Sequence, residues 1–422
     1  MLFKRGFVLK WASIAIAYIC IFILSYEFGV TRRYIHAEEV TMEPRHLRMN
    51  RLFHDHKEYF NSSMILKMMN KELKHALPFE IDSTSSNRSS IIHHGLVVFY
   101  DFSYHHLLFQ QFLWLYSSWI QLRPHDYIQN DLILFISSST IPDDFKKLEN
   151  MTTNLNHKNQ FIIYSCTTLL DSLVNQNYDL LNDYPLNFRM ELERLFYWQQ
   201  TRLSTLLLFL IHEYTEKLLK YDYIFRLDID SFLMPKFRSY QQTSSVVLGE
   251  RISQDEYTLN RLDRIRKSFY SKSKTKIMKQ FITINWFGRL NVLTKLTRQI
   301  ILMALWLMKE EFTESERLYH LTYLNYPSWY IDGIFEYATA IILSVNQYEN
   351  FYHKTIYQFD CHHMLTNCLH VSFRDPSHHL HLSKHLLRLL TNINQSNLTN
   401  NELYIYRTVI KANGLFRLYF SS

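Results

Sequence analysis

The sequence is poor in glycine and cysteine, and each shortage argues against one kind of binding site. Only 7 of the 422 residues are glycine, so no glycine-rich phosphate-binding loop is available. The 4 cysteines include no Cys-x-x-Cys pair, which argues against a structural zinc site. The formal net charge of +7 is modest and spread along the chain. It does not favour nucleic acid as a partner, but it fits an anionic ligand or a position close to a membrane.

The amino-terminal residues predict a membrane anchor. Residues 11–26 are apolar and, with the apolar residues just before them, they approach the ~20 residues that span a bilayer. Basic residues precede the run, so the positive-inside rule predicts that residues 1–10 are a cytoplasmic tail and that the bulk of the chain is lumenal. A cleaved signal peptide is the alternative, although residues 27–29 make a poor cleavage site.

The rest of the chain divides by composition into a stem and one domain. Residues 27–90 are polar and end in a Ser-rich stretch, so we predict a lumenal stem, within which a weakly periodic helix between 52 and 77 could pack on the domain. Residues 91–422 are predicted to form one large α/β domain, since 47% of the sequence is hydrophobic. Asn-x-Ser/Thr sequons agree with a lumenal position, and they lie at Asn61, Asn87, Asn150, Asn394 and Asn397.

Two of the cysteines could form a disulfide. Cys361 and Cys368 are close in sequence, and an oxidising lumen would allow them to bridge. Two buried free thiols are the alternative. Cys166 has no evident partner in the sequence.

Strand-like and helix-like segments alternate along the first half of the domain. Residues 95–100, 131–137 and 160–165 are branched and aromatic runs that predict strands, and 107–116 carries the apolar stripe of a helix. This order predicts parallel pairing through right-handed crossovers. In such sheets ligands bind outside the carboxyl ends of the strands.

Residues 221–235 are the stretch around which the chain is organised. The whole stretch predicts one buried strand that Pro235 ends, since residues 223–227 are mainly aromatic or branched. Asp228 and Asp230 are two residues apart, so in an extended backbone they point to the same side. Two such carboxylates repel each other unless a cation lies between them, and oxygen ligands favour Mg²⁺ or Mn²⁺. The alternative is that both are turn residues at the end of the strand.

This stretch resembles the DxD segment of nucleotide-sugar-dependent glycosyltransferases of the GT-A fold. It is similar in layout to fungal α-1,2-mannosyltransferases, in which a long helix leads into such a strand. It is also similar to uncharacterised glycosyltransferase-like domains with an Arg-x-Asp-x-Asp-x-Phe-x-x-Pro pattern, here 226–235. The similarity covers about 95–385 and is specific around 196–235. It implies a GT-A-like, Rossmann-type mixed and mostly parallel sheet flanked by helices, with a donor diphosphate bound through Mn²⁺ or Mg²⁺ at Asp228 and Asp230.

The same resemblance implies further donor-binding positions. A helix predicted over 189–220 carries Arg202 and Ser204, which match the arginine and small polar group that face the donor in the mannosyltransferase layout. Arg202 could instead be a solvated helix residue. A later aromatic turn with Trp286 and Gly288 could form a wall of a sugar pocket, because sugar C–H faces pack on aromatic rings, or it could be a core strand and turn.

An acceptor-side carboxylate is implied at a loop–helix junction. Asp332 and Glu336 stand at the start of a helix predicted over 334–343, and either could act as general base if it reached the acceptor hydroxyl at ~3 Å. Asp332 could equally cap that helix. The basic segment 251–279 could be a flap that meets the donor, or a solvated helix and loop.

A histidine is implied as the last metal ligand. His370 is the leading candidate, since it lies in a short predicted strand over 368–373. His362 is the second candidate and the cluster at 377–381 the third.

These observations predict a single-pass type II membrane protein of the Golgi or ER with a lumenal catalytic domain. It would transfer a hexose from UDP- or GDP-hexose to a glycan or glycoprotein acceptor. One alternative is a catalytically inactive glycosyltransferase-like lumenal binding protein. Another is a different metal-dependent phosphoryl-transfer or hydrolytic enzyme, although further clustered carboxylates for a second metal are not evident in the sequence.

Overall fold

A computed structural model describes the parts of the chain that follow. They are residues 62–73, 91–122, 125–154, 158–166, 203–229, 231–241, 246–251, 256–269, 281–312, 333–346, 358–359, 368–372 and 400–419. All of them belong to one compact unit, Asn61–Ser422. The predicted tail and anchor (1–26), most of the predicted stem, and Cys361 lie outside the described residues.

The described elements alternate between strands and helices. The strands are β1 (Ile92–Tyr100), β2 (Ile128–Ile136), β3 (Phe161–Ser165), β4 (Tyr223–Leu227), β5 (Ser231–Leu233), β6 (Val246–Arg251), β7 (Phe281–Gly288), β8 (Gln358–Phe359) and β9 (Cys368–Ser372). The helices are α1 (Ser62–Leu73), α2 (His105–Ile120), α3 (Asp143–Asn154), α4 (His212–Leu218), α5 (Glu256–Phe269), α6 (Leu290–Glu310), α7 (Ile334–Val345) and α8 (Asn400–Tyr419).

Six of these strands form the main sheet in the order β3-β2-β1-β4-β7-β6. β3, β2, β1 and β4 are parallel, whereas β7 is antiparallel to both β4 and β6. The predicted mixed, mostly parallel α/β sheet is thereby confirmed. The chain runs outward from β1 to β3 and then returns to place β4 on the other side of β1. The strand order therefore reverses direction between β1 and β4, which is the topological switch point of the sheet.

Helices cover both faces of this sheet, which explains why its central strands are apolar on both sides. On one face α2 packs an aromatic layer against β3, with Phe112 and Tyr116 at 5.9 and 5.4 Å from the Phe161 ring. On the other face Tyr214 of α4 meets the Phe135 ring edge-on at 5.4 Å. The sheet is therefore the middle layer of the domain.

Helix α6 is long and apolar enough to cross a membrane by length and composition. In the described part of the chain it is the one helix that meets this test. It is mostly buried, and its Gln299 bonds both Asn346, just after α7, and the Glu72 carbonyl of α1. We therefore interpret α6 as a core helix of the domain, and α1 as a helix that packs on it.

The predicted continuous helix over 189–220 is wrong in its second half. Residues 203–207 are helical, 208–210 form a turn, and α4 begins after Ile211, which has an extended backbone with φ −81° and ψ 121°. Residues 206–211 are six consecutive buried apolar residues. All six side chains reach the interior although the helix is interrupted there, so an apolar run does not by itself reveal the break.

The predicted single strand through 221–235 is also wrong. β4 ends at Leu227, Ile229 lies in a turn, and β5 belongs to a second sheet of order β5-β9-β8. The alternation that would place Asp228 and Asp230 on one side of an extended strand therefore does not apply. Pro235 begins a short 3₁₀ helix, Pro235–Ser239.

Candidate functional site

The described site lies where the winding of the sheet reverses. Asp101 directly follows β1 and Asp228 directly follows β4, and these two strands are hydrogen-bonded neighbours whose register pairs Val98 with Leu227. Both acids therefore lie at the carboxyl ends of parallel strands, which is where α/β sheets generally bind their ligands. Asp228 is half-buried, whereas Asp101 is 1% exposed.

Asp101 is fixed by the turn that follows β1. Its Oδ1 accepts hydrogen bonds from the Ser103 N–H at 3.0 Å and from the Ser137 hydroxyl at 3.2 Å. Ser137 follows β2 and accepts in turn from the Phe102 N–H at 2.9 Å. These hydrogen bonds join the ends of β1 and β2.

Tyr100 and His105 connect the end of β1 to the helices that follow it. The Tyr100 hydroxyl lies 2.8 Å from Nδ1 of His105, and Nε2 of His105 lies 3.3 Å from an oxygen of Asp144. Burial raises the pKa of Tyr100 above its ordinary value, and the Asp144 and Asp101 charges act in the same direction. The phenol therefore stays protonated and ties the beginnings of α2 and α3 to the end of β1.

Asn285 of β7 fixes the backbone of Asp228. Its Oδ1 accepts a hydrogen bond from the Asp228 N–H at 3.1 Å, and the side chain is 1% exposed. The β4–β7 pairing runs from Ile224 to Arg226, so Asn285 supplies an acceptor one step beyond that ladder. A side chain thus replaces a backbone carbonyl where β4 leaves the sheet.

Arg226 and Trp286 support the site from the interior. They are paired in register on β4 and β7, both are buried, and the guanidinium carbon lies 5.2 Å from the Trp286 ring centroid. A cation over an indole face is a favourable contact, worth ~2 kcal/mol when desolvated. The Trp286 side chain is fully buried, so it holds Arg226 and does not line an open sugar pocket in this structure.

Gly288 lies at the opposite end of β4 from Asp228. It pairs with Ile224 at the beginning of β4, four residues before Asp228, which corresponds to roughly 13 Å along a strand. The β7 residue nearest the site is Asn285 instead.

The backbone of His370 lies beside the segment that follows Asp230. β5 begins at Ser231, directly after Asp230, and its Leu233 pairs with His370 of β9. The predicted short strand around His370 is present, and it adjoins this part of the chain. Asp230 and the His370 side chain lie outside the described residues.

Ser204 lies in the helical turn 203–207. It is 1% exposed, and its hydroxyl has no hydrogen-bond partner among the described residues. Arg202 lies outside the described residues.

Glu336 occupies the first turn of α7 and is half-buried. An acid in the first turn is favourable there because of the helix dipole. Gly333 precedes the helix, and a Cβ at this position would stand 2.8 Å from the Tyr337 hydroxyl, so close packing explains this glycine. Asp332 lies outside the described residues.

Basic residues of α5 are engaged with acids within the domain. Arg264 contacts Glu311 at 2.5 Å and Arg261 contacts the same carboxylate at 3.5 Å. Arg266 and Lys267 contact Asp263 at 2.8 and 2.6 Å. These pairs favour the interpretation of α5 as a structural helix over that of a flap. Residues 270–280 lie outside the described part.

Among the residues predicted to bind a metal, Asp228 is the one whose side chain the structure describes. No group of three or more possible ligands occurs among the described residues. A carboxylate at a strand end fits a hard cation such as Mn²⁺ or Mg²⁺. Asp230 follows Asp228 by two residues, whereas His370 pairs with Leu233, three residues beyond Asp230. These are the residues that would have to complete its shell.

Asp101 and Asn285 were missed by sequence reasoning. Asp101 is the polar residue directly after the apolar strand β1, which is the same signal that marked Asp228 after β4. Asn285 is an amide inside the otherwise apolar run of β7, and a buried amide needs a hydrogen-bond partner. Both signals were available in the sequence.

The fold and these residues define an α/β protein with acids at the carboxyl ends of two neighbouring parallel strands of its sheet. The chain belongs to the family described as domain of unknown function DUF7164, whose model matches residues 88–383. Asp101, Asp228 and Asn285 all lie within that match. No curated protein matches the sequence.

Several solved structures of transferases are similar to this chain. Mouse xyloside xylosyltransferase 1 is 8% identical, with 62% of this chain and 83% of that chain covered and a TM-score of 0.33. Core-mannan synthase A from Aspergillus fumigatus, in an Mn/GDP form, is 12% identical (56% and 69% covered, TM-score 0.29). The S. cerevisiae mannosyltransferase Ktr4p with GDP is 10% identical (71% and 79% covered, TM-score 0.29). At these TM-scores the likeness carries no argument about function.

Proposed function

We propose that this protein is a metal-dependent glycosyltransferase of the secretory pathway. It transfers a hexose from a UDP- or GDP-hexose donor to a glycan or glycoprotein acceptor. The observation that carries the proposal is the position of Asp228, half-buried at the carboxyl end of β4 where the winding of the sheet reverses. The resemblance of 226–235 to DxD segments gives that position its chemistry.

The proposed metal site is built from Asp228, Asp230 and His370. These residues would hold Mn²⁺ or Mg²⁺, which would supply positive charge against a departing diphosphate, an effect of several kcal/mol on the transition state. Asn285 holds the Asp228 backbone, so the carboxylate is presented from a fixed turn. Arg226 keeps its charge at every accessible pH and stays buried against Trp286 below this turn.

The proposed donor and acceptor residues lie on other elements. Ser204, with Arg202, is proposed to face the donor. Asp332 or Glu336 is proposed to accept the proton of the acceptor hydroxyl, which an inverting reaction needs. Glu336 fits this role in one respect, since it lies in the first turn of α7 and its side chain is only half-buried.

The proposed location is the Golgi or ER membrane. Residues 11–26 serve as a signal anchor with residues 1–10 in the cytoplasm, so the domain faces the lumen. The apolar length of the run and the basic residues before it support this topology.

The proposal is tested by calorimetric titration of the full-length protein with Mn²⁺ and a panel of nucleoside diphosphates. Asp228→Asn and Asp230→Asn keep the size of each side chain and remove its charge. The matched control is Asp126→Asn, because Asp126 is exposed at the opposite edge of the sheet, before β2. We expect Mn²⁺-dependent binding of UDP or GDP in the wild type and the control, and its loss in both test variants.

The same titration also separates the alternatives. A folded wild-type protein that binds no nucleoside diphosphate with Mn²⁺ overturns the enzyme proposal and favours a non-catalytic binding protein. Binding that survives in both variants excludes the two aspartates as the metal site.

A further inference from the structure

We infer that Asn285 is a positioning residue that sets the geometry of Asp228 and thereby its metal affinity. The inference rests on the proposed function for the identity of the metal. It concerns a residue on another strand that does not itself contact the ligand. It is supported by a hydrogen bond, by the place of that bond at the end of the β4–β7 ladder, and by the change of sheet that follows.

The first step is the hydrogen bond itself. The Asp228 N–H donates to Oδ1 of Asn285 at 3.1 Å, which is an ordinary N–H···O distance. Asn285 is 1% exposed, so water does not compete at this side chain. Loss of the acceptor would leave the Asp228 N–H without this partner, and a buried unpaired donor is unfavourable.

The second step is the position of this bond at the end of a ladder. β4 and β7 pair through Ile224–Gly288, Phe225–Phe287 and Arg226–Trp286. Continued backbone pairing would keep β4 in the main sheet past residue 227. The Asn285 amide ends the pairing because it satisfies the next N–H from a side chain, and β4 can then turn away.

The third step is the direction that the chain takes next. Ile229 lies in a turn, and Ser231–Leu233 pairs with β9 of the second sheet. The change of sheet therefore takes place at 228–230, between the two proposed metal ligands. A residue that fixes this change also fixes where the Asp228 carboxylate stands relative to Asp230.

The chain offers a matched control at the opposite edge of the sheet. Oδ1 of Asn159 accepts the Asn130 N–H at 3.0 Å, and Asn159 is also 1% exposed. It makes the same type of bond as Asn285, but beside the beginning of β2. Asn159→Ala therefore removes an equivalent interaction from the fold without touching the proposed site.

The experiment compares Asn285→Ala, Asn285→Asp and Asn159→Ala in the full-length protein. Mn²⁺ affinity is measured by calorimetry without nucleotide or acceptor, thermal unfolding is recorded for each variant, and hydrogen exchange reports the Asp228 amide. We expect Asn285→Ala to weaken Mn²⁺ binding at least tenfold and to speed exchange at Asp228. Asn285→Asp retains an oxygen acceptor and should restore the protection of that amide.

The control separates positioning from general loss of stability. Asn159→Ala should keep Mn²⁺ affinity within twofold of the wild type at a similar loss of thermal stability. Equal weakening in Asn285→Ala and Asn159→Ala overturns the inference, as does wild-type affinity in Asn285→Ala. Wild-type protein that binds no Mn²⁺ overturns the proposed function and this inference with it, whereas the preceding outcomes overturn the inference alone.

Discussion

Replacement of His94 by glutamine should remove a large part of the acid sensitivity of the fold. His94 is fully buried in β1 among the rings of Tyr223, Phe237 and Phe287, at 6.0, 6.1 and 5.0 Å. Its Nδ1 lies 2.9 Å from Oδ1 of Asn130. An oxygen partner requires that Nδ1 carry the hydrogen, so Nε2 is the unprotonated nitrogen.

The magnitude follows from proton linkage. Burial is the largest cause that lowers the pKa of His94 from 6.5 to about 4, with the His93 charge acting in the same direction and the Asn130 bond and the Asp222 charge opposing it. At a pH between these two pKa values, His94 binds a proton in the unfolded chain but not in the folded protein. The stabilising contribution is therefore complete above pH 6.5 and is lost as the pH falls toward 4. At about 1.4 kcal/mol per pH unit, the loss between pH 7.5 and pH 5 is about 2 kcal/mol.

The assay is urea unfolding at pH 7.5 and pH 5.0 for wild type, His94→Gln and the control His212→Gln, whose ring is exposed at the start of α4. Titrations elsewhere are common to all three proteins and cancel in the difference. His94→Gln should lose about 2 kcal/mol less than the wild type between the two pH values, and the control should follow the wild type. Equal pH dependence in wild type and His94→Gln would show that His94 is not the group that takes up a proton on unfolding.

Three further outcomes are expected from close packing and from surface chemistry. Gly95→Ala places a Cβ 3.0 Å from the Tyr221 ring, whose hydroxyl is fixed by a buried carboxylate, so thermal unfolding should show a loss of about 1–3 kcal/mol. Gly333→Ala meets a tyrosine side chain at 2.8 Å and should lower the unfolding midpoint, with a smaller loss if that ring moves aside. Asn150 is exposed on α3, whereas the Thr152 hydroxyl is buried. The Asn150 side chain therefore leaves room for a glycan, but the buried Thr152 hydroxyl makes the sequon inaccessible once the domain has folded. Glycopeptide mass spectrometry should find a glycan at Asn150 in protein from the lumen, and none after the folded, unglycosylated protein is treated with the glycosylating enzyme.

The strands of the main sheet were predictable because each is a short apolar run with turn residues on both sides. The predicted strands 95–100, 131–137 and 160–165 correspond to β1, β2 and β3 with ends displaced by three residues or fewer. The same holds for β9 around His370. Burial on both faces leaves a strong signal in a strand, since nearly every residue must be apolar.

The two mistaken elements have a common physical origin. The run 206–211 is apolar at every position, so its periodicity cannot separate a buried helix from a buried turn. In 221–235 the side chains before and after the aspartates are equally suited to a strand, and the change of sheet between them depends on β9, more than a hundred residues later. Local sequence does not contain that contact.

The site was only half predictable for a similar reason. Asp228 could be found because it directly follows an apolar strand within a recognisable Arg-x-Asp-x-Asp pattern. The Trp286–Arg226 contact was hidden because it depends on the register of β4 with β7. Asn285 depends on the same register. A strand pairing set by tertiary contacts decides which β7 residue stands beside Asp228.

The residues of the Arg-x-Asp-x-Asp-x-Phe-x-x-Pro pattern serve two different purposes, and a pair of variants should separate them. Arg226 and Phe232 are buried, and Phe232 stacks on Trp114 at 6.5 Å, so these positions support the fold whether or not the protein is an enzyme. Phe232→Ala should cost about 3–5 kcal/mol of unfolding free energy. Asp228→Asn should change it by less than about 1 kcal/mol, because Asp228 is half-buried and its N–H bond to Asn285 remains.

That contrast bears directly on function. A pattern that only stabilised the fold would make Asp228→Asn destabilising as well, and it would leave Mn²⁺ binding unchanged once the variant is folded. Urea unfolding and calorimetry on the same two proteins measure both quantities. A stability loss in Asp228→Asn comparable with that of Phe232→Ala would contradict the division, since it would place the acid among the supporting residues and remove the reason to assign it a ligand.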